Sequence, residues 1–131
     1  MGVDVFDFGG GALVVRDTTR LPFADGSFDT VSFLANLNHI PARIAVLQEA
    51  RRVLADDGRM LVTMINPILG WLGHRLFWWH ELDAARGMQE GELYGMWPRE
   101  VIRVATAASL VLERRERFVY GLNNLFVFRK P

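Results

Sequence analysis

The sequence predicts a single α/β domain, residues 1–131, with a mostly parallel sheet that ends in a C-terminal antiparallel hairpin. Three observations support this fold class. Two apolar runs, 30–34 and 59–65, flank a segment with helical periodicity, and a strand–helix–strand unit of this kind connects parallel strands. The second run is almost continuously apolar, which is typical of a strand in a parallel sheet covered on both faces. A chain of 131 residues is long enough for one hydrophobic core and too short for two ordinary domains.

The first helix of this unit has clear limits in the sequence. Pro41 begins it, because proline is favoured in the first turn of a helix, and its apolar residues recur at helical spacing as far as Leu54. Asp57-Gly58 is expected to end it, since glycine favours the conformation that follows a helix.

The C-terminal half predicts two further helices and a hairpin. Pro67–Arg86 is expected to be helical with a wide apolar arc, and Pro98 begins another helix after a loop with three glycines. Strands at 111–120 and 125–129 flank Gly121-Leu-Asn-Asn124, which has the composition of a hairpin turn.

Composition excludes several classes of function. Fifteen basic and fifteen acidic residues give no net charge, so nucleic acid is not an expected partner. The absence of cysteine excludes disulfides, thiol catalysis and thiolate metal sites, and it is compatible with a cytoplasmic protein. The most apolar window, INPILGWLGHRLFWW, is interrupted by Pro67, His74 and Arg75, so no membrane span is expected. His74 and His80 are six residues apart and would not share a helix face, so no metal site is expected either.

The N-terminal stretch VDVFDFGGGALVVRD raises the question of a nucleotide-binding loop. Glycines between a strand and a helix N-terminus would present backbone N–H groups to a phosphate or carboxylate. Here Ala12–Val15 follows the glycines and has the composition of a second strand rather than a helix. The local pattern therefore favours a strand, a glycine turn and another strand.

Three motifs downstream of this stretch carry a family resemblance. They are DTTRLPFADGSFDTV at 17–31, LNHIP at 37–41 and EARRVL at 49–54, followed by Gly58. Together they resemble class I S-adenosylmethionine-dependent methyltransferases of the type-11 family, over nearly the whole chain. The resemblance implies a Rossmann-like methyltransferase sheet, S-adenosylmethionine as cofactor and a small-molecule methyl acceptor. The sequence departs from the family at Asp57 and at Ser109, where glycines are usual.

Two registers of the N-terminus onto the family are possible. In the first, which we favour, Asp4 ends the family's second strand, Gly9–Gly11 shortens the connection to the third, and the glycine-rich cofactor loop lies upstream of Met1. In the second, Val3–Phe8 is the family's first strand and Asp7-x-Gly9-x-Gly11 is the cofactor loop. The first register makes the fold N-terminally truncated and leaves a central strand position empty. We expect Val3–Phe8 or a second copy of the chain to fill it, which predicts a homodimer.

The resemblance implies cofactor-binding residues at strand ends. Asp4 would accept hydrogen bonds from the cofactor ribose, and Asp17 with Thr18 would face the adenine amino group. Asn36, just after the run 30–34, would lie near the methionine part of the cofactor. Each also has a structural interpretation: Asp4 as a solvated acid, Asp17 as the first residue of a turn, and Asn36 as a cap.

His39 is the predicted catalytic residue, because an imidazole titrates near neutral pH and could take a proton from an oxygen or nitrogen acceptor. The alternative is that it only organises the loop before Pro41. The segment 66–97 is expected to be a helical and loop insertion that serves as a substrate lid or a dimer interface. The predicted acceptor-binding residues are Asn38, Trp71, Trp79 and Tyr94. Such an aromatic group is also typical of a core or a dimer interface.

Methyl transfer has two rivals at this stage. The first is a non-catalytic, homodimeric remnant that kept the motifs of the core and does not bind the cofactor. The second is a peripheral lipid-binding module that uses the tryptophan-rich helix, although the balanced charge argues against it.

Overall fold

The computed structural model of the protein describes residues 1–4, 11–76 and 90–131. Its main feature is a four-stranded mixed sheet. The strands of this sheet are β3 (Phe28–Leu34), β4 (Leu54–Ile65), β5 (Val111–Phe118) and β6 (Asn123–Arg129). They lie in the order β3-β4-β6-β5, with β3 parallel to β4 and both β4 and β5 antiparallel to β6. The predicted α/β architecture and the C-terminal antiparallel hairpin are confirmed.

A second, smaller sheet lies at the N-terminus. There β1 (Val3–Asp4) pairs in parallel with β2 (Leu13–Val14). This pairing agrees with the register in which Asp4 ends one strand and the glycine stretch leads to its neighbour. Residues 5–10, including Gly9 and Gly10, lie outside the described ranges, so the cofactor-loop alternative for Asp7–Gly11 is not described.

The helices are α1 (Arg43–Val53), α2 (Pro67–Leu76) and α3 (Pro98–Ala107), and a short 3-10 helix covers Leu37–His39. The predicted helix at Pro98 is confirmed, and the one at Pro67 is confirmed as far as Leu76, where the described part of the segment ends. In the described ranges, no helix is long and apolar enough to cross a membrane.

The core lies between one face of the sheet and the helices α1 and α3. Met60, Val62 and Met64 alternate along β4 with no exposed surface, whereas the residues between them are half-buried. Leu47 of α1 and Val101 of α3 belong to the same buried cluster. The nearly continuous apolar run of β4 therefore has one fully buried face, not the two that the sequence predicts.

The expected helix end at Asp57-Gly58 is wrong. Helix α1 ends at Val53, and the chain enters β4 at once, with Leu54 in an extended conformation. Gly58 lies inside β4, where a Cβ atom would stand 2.8 Å from Cδ1 of Leu54 and 2.9 Å from the carbonyl oxygen of Asp29. Glycine is needed here for the close approach of β3 and β4 at an irregular register, not for a helix stop.

The outer edge of β3 has no strand beside it among the described residues. Leu34 at the end of this strand is 64% exposed, while Phe33 faces the core. The expectation that Val3–Phe8 or a second chain fills this position therefore finds no strand in the described part of the chain, and the homodimer stays a prediction.

Helix α3 ends in a conformation that favours glycine. Ser109, two residues past its last turn, has φ of +61°. This is one of the positions where the sequence departs from the family's glycine, and a side chain in the left-handed region costs roughly 1 kcal/mol.

Replacing Ser109 with glycine is therefore expected to raise the free energy of unfolding by about 1 kcal/mol, because glycine relieves the backbone strain. Urea denaturation followed by circular dichroism measures the change. Ser109→Ala is the control, since it removes the hydroxyl and keeps the Cβ atom. A gain for alanine equal to that for glycine would contradict the strain.

The chain that returns from 90 to 97 crosses α2 at close range. A Cβ atom added to Gly70 would lie 1.8 Å from the carbonyl oxygen of Tyr94, which is backbone and cannot rotate away. Gly73, one turn further along the same helix, has no atom within 4 Å of the equivalent position.

Gly70→Ala is expected to lower the free energy of unfolding by about 2 kcal/mol or more, because the Tyr94 segment must move off α2. Gly73→Ala should be neutral or stabilising by up to about 1 kcal/mol through helix propensity alone. Equal effects of the two substitutions in urea denaturation would show that the 94–95 segment does not contact α2.

Candidate functional site

Two of the sequence motifs meet in a clamp of hydrogen bonds. Glu49 Oε1 accepts the backbone N–H of Leu21 at 2.7 Å, and Arg52 donates to the carbonyl oxygen of Leu21 at 3.2 Å. Arg52 also donates to Asp25 Oδ1 at 2.5 Å, while the N–H of Gly26 reaches the carbonyl oxygen of Arg52 at 3.0 Å. The acid and the arginine of E-x-x-R thus hold the LPFADG loop against α1.

The clamp contains an ion pair between Arg52 and Glu49. Arg52 Nε and Nη2 donate to the two oxygens of Glu49 at 2.9 and 2.7 Å, in the forked geometry that suits a guanidinium and a carboxylate. The hydrogen bond from Arg52 lowers the pKa of Glu49, and the bonds to Glu49 and Asp25 raise the pKa of Arg52. The Glu49 side chain is only 11% exposed, so its charge is held in a partly desolvated position.

The predicted adenine-facing residues Asp17 and Thr18 lie in the turn that directly precedes this loop. Asp17 Oδ1 accepts from the backbone N–H of Thr19 at 2.8 Å and from its hydroxyl at 2.5 Å. These two bonds lower the pKa of the exposed Asp17 carboxyl. This is the turn geometry that the structural interpretation of Asp17 predicts. Thr18 lies half-buried beside it, and Asp4 is half-buried at the end of β1.

The carboxyl end of β3 carries a strained connection and an exposed amide. Ala35 has φ of +52°, an uncommon conformation for a residue with a Cβ atom, and its N–H donates to Thr63 Oγ1 at 2.9 Å. Asn36 follows, exposed, and its side chain makes no capping hydrogen bond to the 3-10 helix. Asn36 thus occupies the N-cap position predicted by its structural interpretation, with its carbonyl oxygen accepting the N–H of His39 at 3.0 Å, while its side-chain amide takes no part in capping.

Asn38 ties the end of this strand to the segment 91–94. Its buried side-chain nitrogen donates to the carbonyl oxygen of Leu93 at 2.7 Å, and the N–H of Leu93 donates back to the carbonyl oxygen of Asn38 at 2.9 Å. Arg43, at the start of α1, links the same two parts of the chain, because its guanidinium donates to the carbonyl oxygens of Asn38 at 2.9 Å and Gly91 at 2.7 Å. The predicted acceptor residue Asn38 thus has a clear structural role.

His39 lies beside a buried carboxylate. Its Nδ1 is 3.6 Å from Oε2 of Glu92, whose side chain is only 3% exposed, while the imidazole is 32% exposed. Nδ1 of the partly exposed ring is therefore directed at an acid, and Nε2 lies on the other side of the ring. Glu92 was not among the sequence candidates, because its separation of 53 residues from His39 gives no local signal.

The described aromatic candidates stand at the same edge of the sheet. Trp71 is 46% exposed, with the guanidinium of Arg75 5.5 Å from its ring centroid, and Tyr94 is 40% exposed. The Tyr94 carbonyl lies against α2 at Gly70, the residue before Trp71. Trp79 falls outside the described residues.

Comparison with known proteins supports the motif resemblance. A family model for a methyltransferase domain matches residues 6–62. A ubiquinone/menaquinone biosynthesis C-methyltransferase of Paracoccus denitrificans is 45% identical over 71 residues, which cover 49% of this chain and 27% of that protein. The chain spans about a quarter of the length of the curated relatives it matches.

Solved structures agree on the fold. The PH0226 protein of Pyrococcus horikoshii superposes over 99% of this chain and 70% of its own, with a TM-score of 0.68 at 20% identity. The trans-methyltransferase CalH, solved in complex with SAH, superposes over 88% of this chain and 34% of its own, with a TM-score of 0.64 at 18% identity. The chain is similar to the class I S-adenosylmethionine-dependent methyltransferases in the sequence of the stretch 6–62 and in its fold.

The stretch that matches the methyltransferase family model contains several of the contacts described above. The matched stretch 6–62 contains the LPF loop, the β3 end and the clamp, so its parts that are far apart in sequence contact one another in the fold. The structure brings Asn38, His39, Trp71 and Tyr94 to the carboxyl edge of the sheet, where ligands bind in open α/β sheets. Asp4 lies at the end of β1, and Asp17 lies three residues after the end of β2.

The Glu49 clamp predicts a specific dependence of stability on pH. Because the pKa of Glu49 is lower in the folded chain than its ordinary value of 4.5, its stabilisation is present above that value and is lost as pH falls through the folded pKa. The difference in unfolding free energy between wild type and Glu49→Gln is therefore expected to shrink as pH falls from about 6 to about 3.

Urea denaturation at each pH measures this difference. Asp56→Asn is the control, because Asp56 is fully exposed and its ion pair with Lys130 is expected to contribute little. A difference for Glu49→Gln that stays constant across this range would rule out a stabilising ionised Glu49.

Proposed function

We propose that the protein is a methyltransferase that transfers the methyl group of S-adenosylmethionine to a small-molecule acceptor. The observation that carries the proposal is the stretch 6–62, which matches a methyltransferase domain and whose LPFADG loop and helix α1 contact each other through the Glu49–Arg52 clamp. The solved methyltransferase with bound SAH and a similar fold supports the same donor.

The residues present suit this cofactor by their chemistry. Asp4 and Asp17 carry carboxylates that can accept from the ribose hydroxyls and the adenine amino group, and Thr18 follows Asp17 in the chain. Asn36, whose amide does not cap the 3-10 helix, is both donor and acceptor for an amino-acid carboxylate or ammonium. When bound, the cofactor supplies an activated methyl group to a nucleophile aligned behind it, and most of the acceleration comes from that alignment.

His39 is proposed to take the proton from the acceptor. Glu92 on the Nδ1 side favours the tautomer that carries hydrogen there, which leaves Nε2 as the base. Glu92 is a positioning residue, because it acts through the imidazole.

The acceptor is proposed to be a flat ring. Two observations support this: the exposed rings of Trp71 and Tyr94 at the carboxyl edge, and the quinone-biosynthesis names of relatives. On this proposal Asn38 holds the wall of the acceptor site, Trp79 contributes to it, and 66–97 serves as a lid. The edge of β3, beside which no described residue forms a strand, supports a homodimer, and the composition without cysteine is compatible with a cytoplasmic enzyme.

Thermal denaturation with added S-adenosylhomocysteine tests the proposal. The unfolding midpoint is expected to rise with ligand concentration, because a ligand that binds only the folded state stabilises it. Asp4→Asn should weaken the fitted affinity by about tenfold, since it removes a charged acceptor of two hydroxyl groups.

Asp56→Asn is the matched control, with the same change of charge at a fully exposed position. No shift of the midpoint at about millimolar ligand would overturn the proposal in favour of the remnant. Equal losses for both variants would remove Asp4 from the site. Co-sedimentation with vesicles in place of any shift would favour the lipid-binding module.

A further inference from the structure

A cavity of about 700 Å³ lies at the carboxyl end of β4, between the start of α3 and the β5–β6 hairpin. Its lining includes Asn66 and Trp97, the two ends of the segment 66–97, but none of the individual residues predicted to bind the cofactor or the acceptor. The described side chains that matter in its lining are Asn66, Trp97, Arg99, Arg115, Arg117 and Asn124. Three of these six are arginines, which is unusual for a cavity in a chain with no net charge.

The arginines of β5 divide between two faces of the strand. Arg115 and Arg117 alternate with Arg114 and Glu116, and only the first two line the cavity. On the other face, Arg114 forms an ion pair with Glu116 at 3.2 Å. In the ranges that the structure describes, no ion pair joins Arg99, Arg115 or Arg117 to a carboxylate. Among the described residues, the cavity therefore gathers three guanidinium groups with no acid paired to them.

Arg115 is held in place as a donor. Its Nε and Nη2 donate to the buried Oδ1 of Asn124 at 3.0 and 2.7 Å, and its guanidinium carbon lies 5.7 Å from the ring centroid of Phe126. The nearest acid of α3, Glu100, is committed to the backbone N–H of Trp97 at 2.9 Å. One guanidinium is thus fixed in orientation, and those of Arg99 and Arg117, which make no described hydrogen bond, can close on a ligand beside it.

Trp97 gives the cavity an apolar wall. Its ring is 46% exposed, although Trp97 directly precedes the well-formed helix α3. An indole face and several guanidinium groups together suit a ligand with a flat apolar body and an oxyanion.

We propose that this cavity binds the oxyanion, a carboxylate or a phosphate, of a small molecule with a flat ring. The cavity lies at the same edge of the sheet as His39 and Trp71, so the inference deepens the proposed function and rests on it in one respect, that the ligand is the methyl acceptor. Binding of the oxyanion itself needs no methyl donor.

Isothermal titration of the chain without methyl donor tests the site with three probes that share one ring system: 1-naphthoate, 1-naphthyl phosphate and 1-naphthalenemethanol. At least one anion is expected to bind at millimolar or tighter affinity, and the uncharged alcohol about tenfold more weakly or not at all. The stronger of the two anions identifies the group that the site takes. Added salt should weaken the binding of the anion and leave the binding of the alcohol unchanged.

Arg117→Gln and Arg99→Gln are each expected to weaken anion binding by about threefold or more, because each removes a guanidinium group from the cavity. Neither side chain supports the fold through a described hydrogen bond, so both variants are expected to fold. Arg114→Gln is the matched control on the opposite face of the same strand, and it should leave the affinity unchanged. Equal binding of alcohol and anion, no anion binding up to about 10 mM, or an equal loss in Arg114→Gln would overturn the site.

The two proposals fail separately. Anion binding without stabilisation by S-adenosylhomocysteine would sink methyl transfer and leave this site intact. Stabilisation by S-adenosylhomocysteine with no response to Arg99→Gln and Arg117→Gln would sink the site alone.

Discussion

The forked pair of Glu49 and Arg52 is the interaction on which the arrangement of the matched methyltransferase stretch depends. It reaches from α1 to both backbone groups of Leu21, and so fixes a loop that contains no regular structure of its own. These hydrogen bonds offset the conformational entropy that the loop loses when it is ordered. The turn that holds the predicted adenine-facing residue Asp17 directly precedes this loop, with the N–H of Arg20 donating to the carbonyl oxygen of Asp17 at 3.2 Å.

A second set of contacts organises the opposite side of the site. The reciprocal hydrogen bonds between Asn38 and Leu93, with Arg43 reaching Gly91, bring the segment after 90 back over the end of β3. This return places Glu92 beside His39 and Tyr94 against α2. Chemistry-bearing residues far apart in sequence thereby share the carboxyl edge of one sheet. The edge of β3 that has no neighbouring strand in the described part of the chain lies next to this region, so a strand that pairs there would also border the site.

Local patterns in the sequence were sufficient for much of the fold. Apolar periodicity and prolines located β3, α1, β4, α3 and the hairpin, because those signals act within a few residues. The same signals failed at Asp57-Gly58, since a glycine that ends a helix and a glycine that lets two strands approach look alike in a single sequence. The site was less accessible. Glu49 and Arg52 were part of a sequence motif, but their partner Leu21 lies 28 and 31 residues away. Neither Glu92 nor the arginines that line the cavity between α3 and the β5–β6 hairpin belonged to a local pattern.

Amide hydrogen exchange with and without S-adenosylhomocysteine tests most directly whether the clamp and the end of β3 form one cofactor site. Slower exchange in the ligand-bound protein is predicted for peptides that cover 17–21 and 34–39 together, with no change in β5. Protection confined to one of these peptides, or absent from both while the ligand is bound, would contradict a single site assembled across the clamp.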